Sequence, residues 1–109
     1  MDNQKNESCI VACKASVEAC ETCSTENKDV AGKEQSVKLC IAAKDACNEL
    51  LAASKTGVNL DSLYKKCEAA CTASAMECEK HTDCKHCKAS AEASRKCAAA
   101  CKAMLTAAA

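Results

Sequence analysis

The sequence predicts an all-α protein, an antiparallel up-down-up-down four-helix bundle with a cysteine-lined core. Three observations lead there. The 109 residues include no Pro and only two Gly, so little interrupts the runs of Ala, Glu and Lys, which are strong helix formers. Cysteines recur along these runs at spacings of three, four and seven, which share one helix face. Short polar segments divide the chain into four stretches of similar length, and short loops favour antiparallel neighbours. The pattern is densest over 67–101. It reads Cys67-Glu-Ala-Ala-Cys71, Cys78, Cys84-Lys-His-Cys87 and Cys97-Ala-Ala-Ala-Cys101, with seven of the thirteen cysteines.

The first helix is expected over about 5–27, with Cys9, Cys13, Cys20 and Cys23 on one face and Ser16 between them. A turn over 27–33, containing Asp29 and Gly32, follows. The second helix is expected over about 34–55, carrying Cys40 and Cys47 with Val37, Leu50, Leu51 and Ser54 near the same face. Gly57 suits a left-handed C-terminal cap, and Asn59 suits the N-cap of the third helix. That helix, about 60–80, aligns Leu60, Leu63, Tyr64, Cys67, Cys71, Ser74, Cys78 and His81. His81-Thr82-Asp83 makes a tight connection, with Thr82 or Asp83 as the next cap. The fourth helix, about 83–105, faces Cys84, Cys87, Ala91, Ser94, Cys97, Cys101 and Met104 inward. Its Cys-x-x-Cys and Cys-x-x-x-Cys pairs repeat those of the first helix in reverse order, as antiparallel partners require. All of 1–109 reads as a single domain.

Composition says what such a core is short of. There is no Trp, no Phe and one Tyr, and large aliphatics are few. A small chain with so little hydrocarbon needs staples, a metal or oligomerisation. The formal net charge is zero, from 15 basic and 15 acidic residues, and no basic patch points to nucleic acid. No apolar run approaches membrane-spanning length. The N-terminus is polar and lacks a signal-peptide core. As written, the chain belongs in the cytoplasm, although a removed export signal with a replacement Met1 leaves the same sequence.

Thirteen inward thiols have several readings. Thirteen is odd, so disulfides alone leave one unpaired. Cβ atoms at i and i+4 sit about 5–6 Å apart, whereas a disulfide needs roughly 3.5–4.5 Å. Pairs such as Cys9/Cys13, Cys67/Cys71 and Cys97/Cys101 therefore cannot close locally, and disulfide scaffolds are usually loop-rich. Inert packing explains one or two buried cysteines, Cys47 in the sparse second helix among them, but not the set. A structural zinc site could join Cys20-x-x-Cys23 to Cys84-x-x-Cys87, leaving nine thiols idle. The spacing of an iron–sulfur cluster motif is absent. A thiol redox enzyme could use either Cys-x-x-Cys pair, yet neither adjoins a βαβ pattern.

Copper(I) fits best. It is soft, thiolates select it, and it accepts two or three sulfurs, so an i, i+4 pair can span one ion. Uncompensated buried thiolates are costly. One univalent ion per thiolate neutralises the core, which implies a load on the order of a dozen Cu(I) per chain. Loading releases protons. A catalytic copper centre would use one or two ions and a few histidines; a tube lined with sulfur is a store.

From Cys67 to Cys101, and in the style of the first helix, the chain resembles the bacterial copper storage proteins, the Csp family of Cys-rich four-helix bundles. The motifs are individually common; their number and phasing make the match specific. The resemblance implies high-capacity Cu(I) binding by Cys9, Cys13, Cys20, Cys23, Cys40, Cys47, Cys67, Cys71, Cys78, Cys84, Cys87, Cys97 and Cys101 in multinuclear clusters, without catalysis. It also implies a copper donor or acceptor and a homo-oligomer, often a tetramer. The family has exported and cytosolic members, and the signal of the exported ones is not visible here.

Antiparallel threading places Cys20, Cys23, Cys78, Cys84 and Cys87 toward one end, with Asn27, Lys33, Glu34, His81, Thr82 and Asp83. The other end is closed by Leu50, Leu51, Leu60, Leu63, Tyr64 and Leu105. Copper is expected to enter at the polar end. There His81 offers a ring nitrogen to a terminal ion, though an ordinary turn histidine is the better reading. Met104, in phase with Cys97 and Cys101, offers a soft thioether, though core packing is the better reading. His86 and Met76 fall off the stripe.

Overall fold

The computed structural model describes residues 2–56 and 59–107, with side chains described over 6–56 and 59–105. Four helices account for nearly all of it: α1 (Asp2–Glu26), α2 (Glu34–Ala53), α3 (Asp61–Cys78) and α4 (Lys85–Ala107). Among the described residues there is no strand. The molecule is a rod of 43 × 21 × 18 Å, the proportions of four upright helices around one axis. Cross-helix contacts fix the directions. Cys9 meets Cys101, Cys13 meets Cys97 and Cys23 meets Cys87, so α1 and α4 run antiparallel. Cys40 meets Cys78 while Cys47 meets Cys71 and Cys67, so α2 and α3 do too.

Helix ends differ from expectation by at most three residues. The last turns of α2 and α3 tighten into i→i+3 bonds: Thr56 N–H donates to Ala53 O, and His81 N–H donates to Cys78 O. This ends both helices earlier than periodicity alone suggests. The 27–33 turn is as expected, with Gly32 at φ +88° and its N–H donating to Glu34 Oε1. Only Gly tolerates that conformation without strain. The N-cap of α3 is Leu60 and not the expected Asn59: Leu60 O accepts the first helical bond, from Tyr64 N–H, while Asn59, one residue further out, accepts from Asp61 N–H at 2.9 Å in a local turn. The cap expected at Gly57 lies outside the described residues.

The start of α4 corrects the sequence reading. The capping group is neither Thr82 nor Asp83, both of which are exposed. It is Cys84: its carbonyl accepts from Lys88 N–H, and its sulfur accepts from Cys87 N–H at 3.3 Å. The 81–84 turn is closed by Cys84 N–H donating to His81 O, and α4 begins after it, at Lys85.

The core is sulfur where a bundle normally holds hydrocarbon. Twelve cysteines are buried, with Ala43, Ala46, Ala75, Ala91, Ala98, Leu50 and Tyr64. Leu50 is the one large aliphatic buried among the described residues. Leu51, Leu60, Leu63, Met104 and Leu105 pack half-buried against the core, at the apolar end as expected. Ile41 and Met76 are exposed.

Candidate metal centre

All thirteen cysteines are free thiols, twelve buried and Cys84 half-buried. Helical phase explains the inward aim: i, i+3, i+4 and i+7 positions share the face that each helix turns to the axis. Three sets of sulfurs lie within 4.8 Å of one another: Cys13/Cys47/Cys67/Cys97, Cys9/Cys13/Cys101 and Cys23/Cys40/Cys78. The first takes one sulfur from each helix, and Cys13 links it to the second.

Distances inside the four-sulfur set are 3.4 Å for Cys13–Cys97 and Cys47–Cys67, 3.6 Å for Cys47–Cys97 and 3.7 Å for Cys67–Cys97. These are far beyond a disulfide bond of about 2.0 Å. With metal–thiolate bonds of about 2.3 Å, three sulfurs around one ion stand about 4.0 Å apart. Shifts of a few tenths of an ångström would admit an ion.

Electrostatics differ within each set. Cys47 is held far below the ordinary thiol range because Cys13, Cys67, Cys71 and Cys97 all hydrogen-bond its sulfur. Cys9 falls to about 4 through bonds from Cys101 and Cys13, and Cys78 to about 3 through bonds from Cys23 and Cys40. Other thiols move the opposite way. Cys97 and Cys13 are pushed up, chiefly by Cys101 in both cases, and burial raises Cys87 to about 12. In the Cys47 and Cys9 sets, neighbouring S–H groups solvate one anion, and its presence discourages a second. In the third set Cys40 is lowered as well as Cys78, to about 7, chiefly by its bond with Cys20. Protons remain to be displaced from every set.

The polar end is built differently. Asn27 is buried. Its Nδ2 donates to Cys23 O at 2.9 Å and lies 3.4, 3.7 and 3.8 Å from the sulfurs of Cys23, Cys84 and Cys87. Burial alone would raise the Cys84 thiol. Bonds from the Cys87 side chain and N–H, and from Asn27, outweigh it and lower the group.

Sequence reasoning placed Asn27 at this end but missed its contacts with sulfur. It also missed Ser90 and Ser36, both fully buried. Ser90 is three residues past Cys87 and Ser36 four before Cys40, so the phase was legible; serine's usual surface habit hid it. Ser36 Oγ is the one buried side-chain oxygen or nitrogen without a partner among the described residues.

The alternative zinc arrangement, Cys20 and Cys23 with Cys84 and Cys87, is not among the three sulfur sets. Cys23 and Cys87 meet at 3.8 Å, but Cys20 faces Ser90 and Ser94 at 3.4 and 3.6 Å. His81 belongs to none of the three sulfur sets. Its Nε2 lies 3.4 Å from Glu77 Oε2, four residues back in the chain. Met104 packs half-buried against the core. His86 lies half-exposed, 4.0 Å from Glu26.

A four-helix bundle whose interior is thiol, with sulfurs grouped by threes and fours, is a protein built to bind soft metal ions. Comparison narrows the class. The chain belongs to the Csp copper storage protein family, whose signature matches residues 2–106. It is 32% identical over 106 residues to the uncharacterized cysteine-rich protein YhjQ of Bacillus subtilis (strain 168), covering 93% of this chain and 96% of that one. Among solved structures it is similar to Cu(I)-bound Copper Storage Protein BsCsp3. The TM-score is 0.84 and the identity 30%, over 93% of this chain and 98% of that one.

Proposed function

We propose that this chain stores Cu(I), holding on the order of a dozen ions per molecule at one univalent cation per buried thiolate. The observation that carries this reading is the linked sulfur sets, in which Cys13 belongs to two groups at once. A shared sulfur is what a multinuclear cluster needs, because bridging lets two ions divide one anionic charge. All thirteen cysteines serve as ligands within a single domain. Asn27 and the half-buried Cys84 mark the end where copper enters. His81, held by Glu77, is not required as a ligand, and Met104 serves packing.

The chain works without catalysis. It exchanges Cu(I) with a donor or acceptor, a protein or a small thiol, by thiolate exchange. No helix among the described residues is long and apolar enough to cross a membrane. We place the protein in the cytoplasm, where thiols stay reduced, and as a homo-oligomer.

The Cys13/Cys47/Cys67/Cys97 set, one sulfur per helix, also has the makings of a closed zinc tetrahedron. Anaerobic titration of the reduced protein with Cu(I) against a competing chelator separates the two. Storage requires roughly a dozen equivalents per chain. Saturation near one equivalent refutes it and leaves a single structural site.

A further inference from the structure

The sulfur lining is not continuous. On α2 the cysteines at 40 and 47 are seven residues apart, and on α3 so are those at 71 and 78. Seven residues of helix rise about 10 Å. Because Cys40 meets Cys78 and Cys47 meets Cys71, the two gaps fall at the same height. On α4 the gap runs from Cys87 to Cys97, filled by buried Ser90, Ala91 and Ser94. On α1 the same level holds Ser16 and Cys20.

The bundle therefore has a waist of hydroxyl and methyl groups, made by Ser16, Ala43, Ser74, Ser90 and Ser94. It separates two chambers. Five thiols lie on the polar side: Cys23, Cys40, Cys78, Cys84 and Cys87. Seven lie on the closed side: Cys9, Cys13, Cys47, Cys67, Cys71, Cys97 and Cys101.

Cys20 is the one cysteine at the waist. Its sulfur is 3.4 Å from Ser90 Oγ, 3.6 Å from Ser94 Oγ and 3.8 Å from Ser16 Oγ. The same Ser90 hydroxyl joins it to Cys40, whose sulfur is 3.3 Å from Ser90 Oγ and 3.5 Å from Ser74 Oγ. Ser16 Oγ is also 3.8 Å from the sulfur of Cys71, the nearest rung of the closed chamber. A neutral hydroxyl is a hard, weak ligand for a soft univalent cation.

We propose that Cys20 is the relay sulfur through which Cu(I) passes between the two chambers, so that the protein is a two-compartment store with a one-thiol passage. This rests on the storage reading. Each transfer is a ligand exchange with no redox change. Cu(I) gains a bond to the Cys20 sulfur and loses one to Cys40, and the Cys20 proton moves to the vacated Cys40 sulfur. The second step repeats this onto Cys71, whose proton returns to Cys20. The serine waist sets the rate of filling the inner chamber, and Cys20 contributes only one of thirteen thiols to its capacity.

The test is anaerobic Cu(I) loading of the full-length apo protein, quenched at intervals with an alkylating agent. Peptide mass mapping then reports which cysteines copper protects. In Cys20→Ser the five polar-side thiols become protected at the wild-type rate. The seven closed-side thiols lag by about tenfold or more, as a barrier raised by at least about 1.4 kcal/mol requires. Protection of both chambers at wild-type rates in a folded Cys20→Ser protein overturns the proposal. Ser16→Cys is the second variant, placing a soft ligand between Cys20 and Cys71. It speeds protection of the closed chamber, a gain that misfolding does not mimic; no acceleration overturns the relay. Saturation of the wild type near one equivalent refutes storage itself, which is a different failure.

Discussion

Replacing Leu50 and Cys47 by alanine should rank oppositely in metal-free and loaded protein. Leu50 is 3% exposed and Cys47 fully buried. Leu50 borders a cavity of only about 10 Å³, shared with Cys9, Cys13, Leu51 and Tyr64, so its surroundings are already close-packed. Leu→Ala at such a site costs about 2–5 kcal/mol. We take about 3 kcal/mol, since half-buried Leu51 can slide in part-way. At about 4–8 °C per kcal/mol for a domain of this size, the metal-free Tm falls by roughly 12–24 °C. Cys47→Ala removes one sulfur, comparable to a methylene, and costs about 1 kcal/mol. Loading changes the second value and not the first. Cys47 lies within 3.7 Å of the sulfurs of Cys67, Cys71 and Cys97, so its loss removes at least one ion. An ion present at 1,000 times its dissociation constant stabilises by about 4 kcal/mol. Far-UV circular dichroism melts of both variants, reduced and then anaerobically loaded, give the ranking. Leu50→Ala melts lower without metal and Cys47→Ala lower with it. If Leu50→Ala is the weaker variant in both forms, the sulfur at position 47 does not hold copper.

Two further outcomes concern the polar end. Cys84 is the half-buried cysteine and its thiol is lowered by the bonds it accepts. Substoichiometric alkylation of the metal-free protein should therefore modify Cys84 before any other cysteine, as peptide mapping would report; first labelling of a buried thiol contradicts this. Cys84→Ala and Cys23→Ala should slow the initial phase of Cu(I) uptake, while Leu63→Ala at the closed end leaves it unchanged. Stopped-flow absorbance decides, and the reverse pattern places the opening at the leucine end.

The architecture was legible because cysteine spacing carries helical phase, and a shared phase in four proline-free stretches leaves few ways to bury the sulfurs. The closed end was legible for a similar reason: the leucines cluster in sequence at the 50–64 connection and, with Leu105, reach one end by antiparallel threading. What escaped were features that depend on where a helix stops. His81 falls on the stripe only when α3 is extrapolated past Cys78; its ring lies against Glu77 and outside the three sulfur sets. Cys84 was read as an ordinary helical position, but the turn before it makes it the capping residue, which explains both its exposure and its lowered thiol. Asn27 lies just past the end of α1, where composition suggests only a polar turn, and its contacts with Cys84 and Cys87 depend on the register between α1 and α4.

The serine waist illustrates the same limit from the other side. Ser16, Ser74 and Ser94 were each in phase, but phase on one helix does not say what lies at the same height on the next. Only the pairings of Cys40 with Cys78 and Cys47 with Cys71 align the gaps. Once aligned, they carry a physical consequence. Thirteen sulfurs evenly spread along the rod would let ions migrate freely between equivalent sites. Twelve sulfurs split by a level of hydroxyls give two reservoirs whose exchange is set by the thirteenth, so capacity and rate of release become separately adjustable properties of the same chain.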